Sequence, residues 1–236
     1  MTRILITGFE PFPGAPFNPT GPLVERLLQL RRPALADVER IGHIFPVTYG
    51  AVDRELPQLV REHAPDALLM FGLAARTPHV RIETRARNDI TTIWPDAGHT
   101  KITLGKIAPG GPRALHFGPH TALLLRAARA TEVPSVSSRN AGRYLCNYLS
   151  WRAIEQVQAA RNNSQHPRLA AFIHVPLVPR GTPQIRKGAR PLTNPRITLD
   201  DLVTAGEAIL LTMIRLARQD ASQPVGQASQ PKVRAA

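Results

Sequence analysis

The sequence predicts an α/β protein: a single-domain three-layer α/β/α sandwich with a mostly parallel, twisted central sheet. Three observations carry this expectation. Apolar runs at 3–9 (RILITGF), 67–71 (ALLMF) and 169–175 (LAAFIHV) are solid rather than alternating, as strands covered on both faces require. Stretches of helical spacing separate them. Within residues 1–218 there is no internal repeat and no linker-like change of composition, so one domain is expected.

The elements follow in order. Residues 3–9 read as a buried strand that ends at Gly8 and enters a loop over 10–20. Four prolines in that loop exclude a helix. Leu23, Leu27, Leu28 and Leu30 mark the first helix. Residues 38–49 read as a second strand, 52–63 as a helix with Leu56, Leu59 and Val60 on one face, and 67–71 as a strand closed by Gly72. Residues 80–86 alternate as a strand. The stretch 89–112 is long and irregular, with prolines and glycines clustered at 109–112; a loop of that length in a compact domain has a functional or a mobile role. A helix over 120–130, a short strand over 133–137, a helix over 145–160, a strand over 169–175 and an amphipathic helix over 199–218 complete the domain. Residues 219–236 turn polar, with proline, glycine and serine, and read as a disordered tail.

Composition narrows the function. Hydrophobic residues make up 43% of the 236, enough for a real core. The N-terminal apolar run is too short for a secretory signal. No stretch approaches the ~20 apolar residues a membrane span needs, and a cytoplasmic protein is expected. The net charge of +13 raises the question of nucleic acid. Against that, the arginines are scattered (Arg31-Arg32, Arg81-Arg85-Arg87, Arg126-Arg129, Arg186-Lys187-Arg190), and two tryptophans, three tyrosines and seven phenylalanines do not interleave with them as stacking platforms would. Nucleic acid and membrane are therefore not expected partners.

Three residues stand out at the ends of predicted elements, where ligands collect in open α/β sheets. Cys146 is the one cysteine in the chain, so it has no internal disulfide partner and no companions for a thiolate metal cluster. It falls near the start of the 145–160 helix, where free amides and the helix dipole favour the thiolate. His174 ends an apolar strand. Glu83 lies in the 80–86 strand. Each has a plainer reading: a buried inert thiol, a core histidine satisfied by hydrogen bonds, and a glutamate in a surface ion pair on an edge strand.

Together these residues lie in four segments that resemble the pyroglutamyl peptidase I family of cysteine peptidases. The segments are Thr7-Gly8-Phe9-Glu10-Pro11-Phe12 with Asn18-Pro19 after it; Ile82-Glu83 with Asn88 downstream; Ser138-Arg139-Asn140-Ala141-Gly142-Arg143-Tyr144-Leu145-Cys146-Asn147-Tyr148; and Phe172-Ile173-His174-Val175-Pro176. Their order and spacing run from residue 3 to about residue 215. The resemblance implies an exopeptidase that releases N-terminal pyroglutamate from peptides, with no metal and no cofactor, and it admits a homo-oligomer. It implies a triad in which Cys146 attacks, His174 carries the proton and Glu83 orients the imidazole. Phe9 and Phe12 would hold the lactam ring, with Asn18 beside them.

The chain also departs from the family pattern. Glu83-Thr84 stands where Glu-Arg is usual, and Phe12-Pro13-Gly14 where Phe-Gly-Gly is commoner. The stretch Asn88–Asp96 lacks an arginine that helps shape the oxyanion region. Losing one oxyanion donor can cost ~10²- to 10³-fold in turnover, so either Arg85, Arg87 or a backbone amide is expected to substitute or activity is weak. The alternative to an active peptidase is a weakly active or non-catalytic homologue that binds a peptide or a lactam-like small molecule.

Overall fold

A computed structural model describes residues 1–12, 14–163, 165–179 and 196–222. Six strands form the main sheet: β1 (Thr2–Phe9), β2 (Val38–Phe45), β3 (Ala67–Leu73), β4 (Val80–Glu83), β7 (Ser135–Ser138) and β8 (Leu169–Val175), in the order β2-β1-β3-β8-β4-β7. The pairs β1·β2, β1·β3, β3·β8 and β4·β7 are parallel, and β4 runs antiparallel to β8. The expected mostly parallel sheet is therefore present, with β4 and β7 reversed.

Side chains alternate across a strand, and this parity sorts the core into two layers. Ile4, Ile6, Leu69, Phe71, Ala171, Ile173, Val80 and Ile82 pack with α1 (Thr20–Gln29), α3 (His120–Arg129) and α5 (Leu199–Ser222). Leu5, Leu68, Met70, Ala170 and Phe172 pack with α2 (Tyr49–His63) and α4 (Leu145–Asn162) on the other face. The same parity puts Phe9, Gly72, Arg81, Glu83 and His174 on the α2/α4 face.

Several boundaries differ from the sequence reading, each for a local reason. The second strand stops at Phe45 rather than 49, because Pro46 has no N–H to extend the ladder. Thr48 instead caps α2, its hydroxyl accepting from the Ala51 amide at 3.3 Å. Gly72, read as the end of a strand, lies inside β3. The single strand expected over 80–86 breaks at Thr84, whose amide and hydroxyl both donate to the Ser138 carbonyl, at 2.8 and 2.9 Å. Beyond the break, β5 (Arg85–Arg87) pairs antiparallel with β6 (Ala114–His116), a strand too short to register in the sequence. Helix α5 runs to Ser222, past the expected boundary at 218; residues 223–236 of the expected tail lie outside the described residues, as do Pro13 and the basic run 186–190.

The irregular stretch between β5 and β6 is tied down by buried polar side chains. Asn88 Oδ1 accepts from the Ile107 and Ala108 amides, both at 2.9 Å, and its Nδ2 donates to the Ala108 carbonyl at 2.7 Å. Asp96 accepts from the amides of Tyr49, Gly98 and Thr100 at 2.8–3.0 Å. These bonds bring 94–99 to the mouth of a pocket at the carboxyl ends of β1, β3 and β8, where the topology rule for open sheets places ligands.

Candidate active site

Cys146 is the second residue of α4 and is partly exposed. Its neighbour fixes the helix start. Asn147 is fully buried; its Oδ1 accepts from the Arg87 amide at 2.8 Å, and its Nδ2 donates to the Arg87 and Asp89 carbonyls at 2.8 and 2.9 Å. Ahead of the helix, Gly142 adopts φ 84°, a left-handed conformation that glycine takes without steric cost. Its amide donates to Asn140 Oδ1 at 3.1 Å.

His174 and Glu83 meet across the β8–β4 junction. Arg81 is the register partner of His174, so Glu83 sits one row deeper in the sheet. His174 is 4% exposed and Glu83 0%. The His174 Nδ1 lies 2.8 Å from Glu83 Oε1, and Cys146 acts on the same imidazole by charge and by a side-chain hydrogen bond. Burial alone would favour the neutral imidazole. The charge and hydrogen bond of Cys146, and then those of Glu83, outweigh it and push the His174 pKa up to about 9. A relay of acid, imidazole and thiol is thereby assembled, with the thiol facing the pocket. The surface-ion-pair reading of Glu83 fails: β4 is an interior strand and the carboxylate is fully buried.

Glu83 has two further partners that the sequence reading passed over. The Asn140 amide donates to its Oε2 at 3.2 Å, and Arg81 Nη2 lies 3.1 Å from its Oε1. The same Arg81 nitrogen also donates to Ser138 Oγ and the Asn140 carbonyl. Arg81 therefore ties Glu83 to the turn that leads into Cys146. Only its i, i+2 spacing from Glu83 on one strand face signalled this. Arg85 and Arg87, the expected oxyanion substitutes, are turned to other work: Arg85 Nε donates to the Arg139 carbonyl at 2.9 Å and Arg87 Nη2 to the Gly142 carbonyl at 3.2 Å. Neither lines the pocket.

The pocket, of about 1100 Å³, is bordered by Phe9, Phe12, Asn18, Cys146 and His174, so the structure brings all of these sequence-derived residues except the buried Glu83 to one cavity wall. Phe9 is buried against Phe45 at 6.1 Å between ring centroids, and Phe12 is half-buried. Asn18 is occupied within the protein: Nδ2 donates to the Glu10 carbonyl at 3.2 Å, and Oδ1 accepts from the Thr20 amide and hydroxyl at 3.1 and 2.9 Å. Its bonds brace the loop that leaves β1 after Phe9 and carries Phe12. Tyr144 and Trp94 also line the pocket, neither singled out by the sequence. The Tyr144 hydroxyl donates to the Pro95 carbonyl at 2.9 Å, and burial pushes its pKa up to about 12. Trp94 and Ile93 stand 69% and 68% exposed, Ile93 within the stretch that lacks the arginine. Among the described residues no three His, Cys, Asp or Glu side chains converge as a metal site, and no helix is long and apolar enough to cross a membrane.

Known proteins resemble this chain in sequence and in fold. The family model described as pyroglutamyl peptidase matches residues 2–231. The pyrrolidone-carboxylate peptidase of Thermococcus onnurineus is 31% identical over 214 residues, covering 90% of this chain and 99% of its own length. That of Vibrio vulnificus is 32% identical over 216 residues, covering 91% and 93%. Among solved structures, the pyrrolidone carboxyl peptidase from Thermococcus litoralis superposes with a TM-score of 0.77 at 26% identity, covering 93% of this chain and 96% of that one.

Proposed function

The chain belongs to the pyroglutamyl peptidase family, and from that premise we propose that Cys146, His174 and Glu83 are the groups that run its chemistry. The protein is a cysteine-type omega peptidase that hydrolyses the amide bond after an N-terminal pyroglutamyl residue of a peptide. The observation that carries the residue assignment is the buried relay from Glu83 through His174 to the thiol at the pocket wall.

The steps follow from that arrangement. The Cys146 thiolate adds to the pyroglutamyl carbonyl carbon, and the charge passes to the carbonyl oxygen. The amides in the first turn of α4, which have no intrahelical partner, stand in for the family's missing arginine and receive that oxyanion. The imidazolium of His174 protonates the departing peptide amine as the C–N bond breaks, leaving a thioester on Cys146. The now neutral imidazole takes a proton from water, whose hydroxide adds to the thioester carbon. That proton restores the imidazolium, and collapse of the adduct expels the thiolate and releases pyroglutamic acid, which ionises in solvent. Glu83 holds the ring by Nδ1 throughout.

Phe9, at the end of β1, and Phe12 wall the flat lactam ring, and Asn18 sets the loop that presents Phe12. A non-catalytic binding protein has no use for all three triad groups, so the catalytic reading is preferred. A free, reactive thiol suits a reducing cytoplasm, and association into a homo-oligomer is part of the same proposal. The test is turnover of a pyroglutamyl chromogenic amide by the wild type and by Cys146→Ser, with hydrolysis expected only from the former. Equal rates would remove Cys146 from the mechanism.

A further inference from the structure

We propose that Gly72 is a positioning residue for the nucleophile: its missing side chain makes the notch in the sheet that seats Cys146 Sγ beside His174. This rests on the assignment of Cys146 as nucleophile. Gly72 lies in β3, directly opposite His174 of β8 in the parallel register. Its parity puts the position on the α2/α4 face, under the start of α4. A Cβ placed there would lie 2.8 Å from Cys146 Sγ and 2.6 and 2.9 Å from two atoms of the Phe172 ring. Non-bonded carbon contacts are comfortable near 3.5–4.0 Å, so even one methyl group forces the thiol, the ring or the strand to move.

Backbone conformation does not require glycine here. Gly72 is absent from the positive-φ glycines and sits in regular strand geometry. Glycine inside a strand weakens it and marks a close approach of another group; the approaching groups are the reactive sulfur and the ring that supports the base. Phe172 meets the His174 imidazole edge-on at 5.0 Å between centroids. A strand that contributes no catalytic side chain thus sets how far the thiol can sink toward the imidazole. Small misplacements of reacting groups have large rate penalties.

The experiment combines Gly72→Ala with a reporter that does not depend on peptidase activity. Gly72→Ala is expected to lower kcat at least 10²-fold with KM changed less than about threefold. The rate of iodoacetamide alkylation of Cys146 near neutral pH is expected to fall along with kcat. A double-mutant cycle with Cys146→Ala isolates the sulfur contact, because the Phe172 contact is present in both arms. The loss of melting temperature caused by Gly72→Ala should be smaller in the Cys146→Ala background than in the wild type. Should Gly72→Ala fail to fold in both, the same cycle in a Phe172→Leu background relieves the ring contact and leaves the sulfur contact in place. Three outcomes would overturn the proposal: wild-type alkylation and kcat in Gly72→Ala, equal melting losses in both backgrounds, or a Gly72→Ala/Phe172→Leu enzyme as active as Phe172→Leu alone. Alkylation and melting read the notch even if the wild type cleaves no pyroglutamyl amide, so failure of this inference and failure of the assigned mechanism are separable.

Discussion

Replacing Glu83 by glutamine and by alanine probes the relay at its most buried point. The carboxylate is 0% exposed, and its two oxygens accept from donors only: His174 and Arg81 at Oε1, at 2.8 and 3.1 Å, and the Asn140 amide at Oε2, at 3.2 Å. An amide has one accepting oxygen, so in Glu83→Gln one side must present N–H to a donor. If the oxygen stays toward His174, the variant loses the charge facing the imidazolium and the bond from Asn140. A hydrogen bond to a charged group contributes ~1.5–3 kcal/mol, and each 1.36 kcal/mol is about tenfold in rate, so kcat should fall about 10²-fold. Glu83→Ala leaves His174, Arg81 and the Asn140 amide all without this partner and should fall about 10³- to 10⁴-fold. The pH profile supplies the second readout. Glu83 is among the groups that hold the His174 pKa up at about 9. A raised pKa keeps the imidazolium present at neutral pH and loses it as pH climbs through that value, so wild-type kcat/KM should decline on the alkaline side near pH 9. Removing the Glu83 charge lowers the His174 pKa, so the alkaline decline of Glu83→Gln must begin at lower pH. Steady-state kinetics on a pyroglutamyl amide from pH 5 to 10 measures both effects. Near-wild-type rates in both variants, or an alkaline limb that stays put or moves upward, would refute the relay.

Three further outcomes are expected. Cys146→Ser and His174→Ala should each lose at least about 10³-fold in kcat while circular dichroism stays close to wild type, because serine lacks the thiolate character and alanine cannot carry a proton; activity within tenfold of wild type in either removes that residue from the triad. Pyroglutamyl amides should be cleaved ~10⁴-fold better than prolyl amides in kcat/KM, since Phe9 and Phe12 offer no counter-charge to a protonated ring amine and Asp96, the carboxylate that lines the pocket, already accepts from the Tyr49, Gly98 and Thr100 amides, and Phe12→Ala should raise KM for the pyroglutamyl substrate; comparable values for both substrates would sink the lactam pocket. Asn88→Ala should destabilise the fold by about 1–3 kcal/mol in urea titrations, because the Ile107 and Ala108 amides lose their acceptor, and an unchanged midpoint would show that the β5–β6 loop is held by other contacts.

Much of this protein is legible one residue at a time. The solid apolar runs at β1, β3 and β8 and the helical spacing between them already specify a covered, mostly parallel sheet, because burial on two faces leaves no room for polar alternation. The Cys146 and His174 segments were visible for a similar reason: a motif is a local string, and each residue sits at the end of an element whose pattern is strong. Strand parity, also local, is enough to put Gly72, Arg81, Glu83 and His174 on one face. What no window of sequence could decide was which strands would be neighbours. The reversal of β4 between β8 and β7 turns Glu83 from a plausible surface residue into a fully buried partner of His174. It also draws Arg81 onto Glu83 and leaves Arg85 and Arg87 to brace the turn before α4. Likewise Gly72 reads as a strand terminator until β3 is laid beside β8 and under α4, where its bareness becomes the space for the sulfur. Propensity and periodicity act over a few residues and are written along the chain; ion pairing, burial of charge and steric clearance depend on groups 50 to 100 positions apart, and only the folded packing brings them within reach.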